Sequence, residues 1–244
     1  MSHSSAVPVP GLSAFEGIGA VIFDFDGTLY DFHGLAQRVV LANLLNIRLV
    51  GAERFVRKTL KGADFQTPEA YHREFFGRIA AQTGKSAETI EKWYFENYMR
   101  RMRSILKKHY SPRPLAAELF AALAQAEIPA AIYSDYPDTA GRLAAIGLSP
   151  AGRVSFYGPD TFGALKPAKR PFLTIAAELG CDPAAVLVVG DRDDTDGEGA
   201  RRSGMRFALA DDTFFAALYS SLTSFAGYNS RTTSFSALSA VLGI

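Results

Sequence analysis

The sequence predicts an α/β fold: a parallel sheet with helices on both faces, carrying a helical module inserted after its first strand. Four short apolar runs, AVIFD (20–24), PAAIYS (129–134), AVLVVGD (185–191) and MRFALA (205–210), read as strands buried on both faces. In the second half of the chain these runs alternate with helical segments closed by Gly or Pro, which is the pattern of a parallel sheet. The first and second runs lie about 100 residues apart, far more than one crossover needs, and the intervening sequence carries helix signals without strand signals.

Each element follows in order. Residues 2–13 mix Ser, Pro and Gly without periodicity and read as a loose lead-in. After the first strand, helices are expected near 34–49, 51–61, 68–83 and 87–109. The last of these places Ile90, Trp93, Tyr94, Asn97, Tyr98, Met102, Ile105 and Leu106 mostly at helical spacing, and packing within the module is a simpler account of its aromatics than a substrate box. Helices then follow at 114–128, 137–147 and 170–180, and RVSFY (153–157) is a less apolar fifth strand. Residues 212–244 are rich in Ser and Thr but keep two apolar helical patches that should fold against the core. The domain division is therefore 14–30 with 113–244 as the core, and 31–112 as the helical module.

Composition excludes several classes of function. The 244 residues are 48% apolar and carry a net charge of +1, so the chain is not a strongly basic nucleic-acid binder. No apolar run approaches the roughly 18 residues needed to span a bilayer. One cysteine, Cys181, cannot form an intramolecular disulfide, and with no signal-like N-terminus the expected location is the cytoplasm. The near-neutral sum hides an asymmetry: residues 31–112 hold fifteen Lys and Arg against eight Asp and Glu, while the remainder is acidic. Arg100, Arg101, Arg103, Lys107 and Lys108 dominate that excess; a solvated helix face explains them most simply, and attraction of an anionic substrate is the sharper alternative.

The chemistry lies where the strands end, because ligands of an open parallel sheet collect at the carboxyl ends of its strands. The first run ends in Asp24-Phe-Asp26-Gly27-Thr28, and strand alternation would aim both carboxylates the same way, so a positive group is expected between them. The second run ends in Ser134, a loop carries Lys166-Pro167, and the run at 185–191 ends in Gly190-Asp191 with Asp196 five residues on. Carboxylates converging without a His or Cys cluster favour a hard cation, Mg²⁺ over zinc. Carboxylates, a lysine and a hydroxyl together suit a phosphoryl group.

Taken together, these residues resemble the haloacid dehalogenase superfamily over about 20–30 and 113–211. Its D-x-D-G-T motif stands as Asp24 to Thr28, its strand-ending Ser or Thr as Ser134, its lysine as Lys166, and its G-D-x(4)-D motif as Gly190, Asp191 and Asp196, followed by Gly199 and Ala200. The resemblance implies a Rossmann-like core, a C1-type helical cap at 31–112 that closes over the site, and a Mg²⁺-dependent phosphatase acting on a small phosphorylated metabolite. It also implies roles. Asp24 would be the nucleophile that forms an aspartyl phosphate, and Asp26 the acid and base, with its backbone carbonyl on the metal beside Asp24, Asp191 and Asp196. Thr28, Ser134, Asp135 and Lys166 would bind substrate, Lys166 offsetting the negative charge of the phosphoryl group. Closure is expected to hinge near 30–32 and 111–113.

The sequence departs from the family pattern at Asp135, at Thr195 and in the charged run Arg192-Asp193-Asp194, the last two acids reading as solvated loop residues. A phosphosugar mutase uses the same core residues, and a non-catalytic binding protein of this fold is the alternative from another class. A dehalogenase is disfavoured because that branch lacks a second aspartate at the place of Asp26. His3, His33, His72 and His109 are scattered without metal-ligand spacing.

Overall fold

The structure, a computed structural model, describes residues 15–224, so the lead-in read at 2–13 and the segment after 224 lie outside the described residues. Five parallel strands, β1 (Ala20–Phe23), β2 (Ala130–Tyr133), β3 (Val154–Tyr157), β4 (Val186–Gly190) and β5 (Arg206–Leu209), form one sheet in the order β3-β2-β1-β4-β5. The run at 153–157 is thus a full member of the sheet, its lower hydrophobicity explained by its position at an edge. β1 lies centrally, with Val21 opposite Ala130 on one side and Leu187 on the other. The chain turns toward β2 and β3 on one flank and β4 and β5 on the other, so a crevice opens above the carboxyl end of β1.

Alternation within β1 explains why the whole run is apolar. Val21 and Phe23 face one layer with Leu187, Val189 and Ile132, while Ala20 and Ile22 face the other with Val186, Val188 and Ala131. The first layer is closed by Leu119 and Phe120 of α6 (Ala116–Gln125) and the second by Phe172, Ile175 and Ala176 of α9 (Lys169–Leu179). Between them along the chain come α7 (Thr139–Ala145) and the short α8 (Pro159–Phe162), and α10 (Glu198–Arg202) follows β4. A last helical stretch, α11 over 212–224, buries Phe214, Phe215 and Leu218 in the first layer, as its apolar patch leads one to expect.

Between β1 and β2 lie α1 (Leu35–Ala42), α2 (Ile47–Thr59), α3 (Pro68–Thr83) and a long helix of two parts, α4 (Ala87–Trp93) and α5 (Arg100–His109), joined by a π-helical stretch, Tyr94–Met99. Thr67 and Ser86 cap α3 and α4 with their hydroxyls, and the buried Trp93, Tyr94 and Tyr98 pack inside the insertion. The break between the first two helices falls at 43–46, not at 50. Asn43 is buried, its side-chain amide donating to the Val39 carbonyl and its oxygen accepting from Arg101, which ends α1 early. Gly51 sits inside α2 with open space beside it.

The insertion meets the core along a backbone seam. Gly62 N donates to the Lys166 carbonyl at 3.0 Å, Leu165 N to the Ala63 carbonyl at 3.0 Å, and Phe65 N to the Gly163 carbonyl at 2.9 Å. Arg170 adds a two-pronged ion pair to Asp64.

Candidate active site

β1 ends at Phe23, so Asp24 and Asp26 belong to the loop beyond it rather than to the strand. The alternation rule therefore does not govern them, and each carboxylate has a cationic side chain of its own. Asp24 Oδ1 accepts from Lys166 Nζ at 2.5 Å, and its Oδ2 from Thr28 Oγ1 at 3.0 Å. Asp26 is gripped through both carboxylate oxygens by Arg142 Nη2, with Tyr30 OH donating to Oδ1 at 2.6 Å and Ser134 Oγ to Oδ2 at 3.4 Å.

Local sequence dictates this loop. Gly27 adopts φ +87°, where a side chain is strained, and a Cβ there would strike the Asp191 carboxylate. Arg113 holds the same turn from below, donating to the carbonyls of Gly27 (2.9 Å) and Thr28 (2.8 Å) while pairing with Asp212 of α11.

Lys166 is buried and lies between two acids, 2.5 Å from Asp24 Oδ1 and 2.7 Å from Asp196 Oδ1. Burial alone would lower its pKa, but Asp196, Asp24 and Asp135 outweigh burial and hold it well above the usual lysine value. Asp24, Asp191 and Asp196 each offer a carboxylate oxygen, all within 4.8 Å of one another. Burial pushes the Asp24 carboxyl up strongly; Lys166 opposes this, while Asp196 and Asp191 add to it. Burial followed by repulsion from Asp196 pushes Asp191 up to about 6. Three crowded acids balanced by one lysine leave excess negative charge, and an all-oxygen donor set of this kind fits a hard divalent cation. The Asp26 carboxylate is not part of that cluster, being committed to Arg142; only its backbone carbonyl is left for the role the family resemblance gave it.

Other expected residues are placed as follows. Ser134 Oγ accepts from Arg142 Nη1 at 2.9 Å and from Tyr136 N at 3.1 Å. Asp135, a candidate substrate ligand, has its Oδ1 occupied by Lys166 N at 2.8 Å, fixing the loop that carries the lysine. Asp194 pairs with Arg192 and Lys61 at the wall of the same cavity, the exposed Asp193 pairs with Arg201, and neither belongs to the three-acid cluster. Asp24, Asp26, Lys166, Asp191 and Asp196 line a cavity of about 420 Å³, and α2 supplies its cationic wall through Arg54, Arg57, Lys58 and Lys61. The basic residues singled out on α5 are not among those that line it; Arg101 is spent on Asn43 and Arg103 on Asp138.

Sequence reasoning missed three residues. Arg142 is the one charged residue of α7, among otherwise uncharged residues, and that isolation was the available signal. Tyr30 is buried four residues beyond Asp26. Arg57 is held by Glu53 and Tyr94, stacks 4.0 Å from the Tyr136 ring centroid, and donates to the Asp135 carbonyl at 2.5 Å, so it crosses from the insertion to the core.

The family model of haloacid dehalogenase-like hydrolases matches residues 18–204. Among curated relatives, a phosphoglycolate phosphatase of Aquifex aeolicus is 29% identical over 195 residues, 78% of this chain and 83% of that protein. One of Escherichia coli K12 is 27% identical over 193 residues, 74% of this chain and 76% of its own. Among solved structures, CbbY of Rhodobacter sphaeroides in complex with phosphate superposes with a TM-score of 0.55 at 21% identity, covering 79% of this chain and 85% of that one. A 2-haloacid dehalogenase of Pseudomonas syringae does so with a TM-score of 0.53 at 19% identity, covering 79% and 86%. Those structural likenesses bear on the fold alone, and with the family match over most of the sheet and all four motif positions, the chain belongs to the haloacid dehalogenase-like hydrolases.

Proposed function

We propose that this hydrolase is a Mg²⁺-dependent phosphatase that cleaves a small phosphorylated acid, such as phosphoglycolate, through an aspartyl-phosphate intermediate. The observation that carries the reading is Lys166 Nζ seated between Asp24 and Asp196 at the floor of a cavity whose far wall is cationic. Asp24 would attack phosphorus as the bond to the leaving oxygen breaks, and Asp26 would give that oxygen its proton. Asp26 would then take a proton from the water that attacks phosphorus, releasing phosphate and restoring Asp24. Lys166 and the Ser134 hydroxyl would offset the charge gathered on the phosphoryl oxygens. Asp24, Asp191 and Asp196, with the Asp26 backbone carbonyl, would hold Mg²⁺, which when bound supplies further positive charge to those oxygens.

The helical insertion is assigned the part of a cap, and two of its residues support an anionic substrate. Arg54 and Lys58, one turn apart on α2, line the cavity with no acidic partner among the described residues, whereas Lys61 and Arg57 are paired. A carboxylate remote from the phosphoryl group would meet them. The test is phosphate release from a panel of phosphorylated metabolites with Mg²⁺, beside EDTA and Asp24→Asn controls. Release that EDTA and the variant both abolish, with phosphoglycolate foremost, is the expected result. Release that survives in Asp24→Asn would overturn the mechanism, and net migration of phosphate on a sugar would favour a mutase.

A further inference from the structure

We infer that Arg142 is a positioning residue for hydrolysis: it fixes the carboxylate of Asp26 at the reacting centre through a buried clamp that also includes Ser134. The inference rests on the phosphatase reading for the role of Asp26, and on geometry for the clamp itself. Arg142 is wholly buried, while the Asp26 side chain keeps 22% of its exposure and lines the cavity. The guanidinium binds both oxygens of Asp26 through Nη2 and reaches Ser134 Oγ through Nη1, so one planar group sets the distance between two residues from different strand ends. Phe25 and Tyr136 lie against its face, at 4.4 and 5.3 Å from their ring centroids. Tyr30 adds a hydroxyl to the same carboxylate, whose remaining side opens to the cavity.

Stability does not account for this arrangement. Burying a guanidinium is costly, a well-packed apolar pair commonly serves a core equally well, and here the Arg142 Nε has no hydrogen-bond partner among the described residues. A charge kept in the interior against that cost, and aimed at a carboxylate facing the cavity, is explained by what it does to that carboxylate. Without it, Asp26 would be free to rotate toward solvent, and proton delivery to the leaving oxygen would lose its fixed geometry.

The experiment compares Arg142→Gln, Arg142→Lys and Tyr30→Phe with wild type, full chain and Mg²⁺ present, on two esters. Phosphoglycolate has a poor leaving group that needs a proton, whereas p-nitrophenyl phosphate releases a stable phenolate that does not. The clamp predicts that Arg142→Gln lowers kcat/KM, which reports the steps up to the aspartyl phosphate, by roughly 10²-fold on phosphoglycolate but by less than about 5-fold on p-nitrophenyl phosphate. Arg142→Lys should lie between, because an ammonium cannot span both oxygens and Ser134. Tyr30→Phe should show the same split at smaller amplitude, and it decides the matter if neither Arg142 variant folds. Equal losses of kcat/KM on both esters, or an unchanged or higher kcat/KM on phosphoglycolate, would overturn the inference. If wild type released phosphate from neither ester, the phosphatase reading would fall by itself. The clamp would then be judged from crystals of Arg142→Gln, or of Tyr30→Phe if that variant does not fold. A displaced Asp26 carboxylate sustains it, and an unmoved one refutes it.

Discussion

At the scale of the residue, Lys166 sets the charge balance of the site, because its one ammonium faces three clustered acids. Replacing it with Met removes the counter-charge of Asp24 and Asp196 without adding bulk, and kcat is expected to fall by roughly 10²–10³-fold in steady-state assays. Asp191 carries a separate signature. Its carboxyl is pushed up to about 6, above its value in an unfolded chain, so the folded state holds the proton more tightly. The strain of ionising it is absent below about 4 and fully present above about 6, and stability falls as pH rises through that window. Thermal melts of EDTA-treated protein between those values should show this decline, and Asp191→Asn should flatten it. The same proton competes with a cation, so Mg²⁺ binding followed by calorimetry is expected to weaken as pH drops below about 6. Much of this site was legible in the sequence: Asp24, Ser134, Lys166, Asp191 and Asp196 all stand at strand ends or on the loops beside them, where the fold concentrates chemistry. Arg142 and Arg57 were not, because each acts across a distance in sequence, 116 residues from Asp26 and 78 from Asp135 respectively, that no local pattern encodes.

At the scale of the element, the strands were the clearest signal. Every residue of β1 is buried because both faces of the sheet are covered, so an unbroken apolar run was the right expectation. The break between α1 and α2 was misplaced because the residue that ends α1, Asn43, works through a tertiary bond to Arg101 that propensity cannot show. The seam between insertion and core was equally invisible, being made of main-chain groups. Gly163 is its tightest point. It has φ +61°, and a Cβ would run into the Thr67 carbonyl and the Pro68 nitrogen. Gly163→Ala is therefore expected to cost roughly 1–3 kcal/mol in chemical denaturation, and to weaken catalysis through the adjoining Lys166 loop.

At the scale of the whole molecule, the sheet order places β1 between β2 and β4, so Asp24, Ser134 and Asp191 follow the ends of three neighbouring strands although 167 residues separate the first from the last. Among the described residues no helix is long and apolar enough to cross a membrane. Composition foresaw a basic insertion over an acidic core and read the cations of α5 most simply as a solvated face; the cavity draws its cations from α2 instead. The distinction depends on which helix face meets the core, and that is a property of packing. Arg113 connects this scale to the smallest one. It braces the Gly27–Thr28 carbonyls, pairs with Asp212 and lies 5.7 Å from the Phe215 ring centroid. The family match stops at 204, yet the buttress under the turn that follows Asp24 is anchored eight residues later, so the shortest chain expected to work is longer than the matched segment. A chain cut after 211 would retain every residue assigned to the reaction and lose the tail that keeps the first of them in place. Its expected phenotype is a folded but cooler-melting protein with impaired turnover, checked by melting and phosphate release on the same preparation.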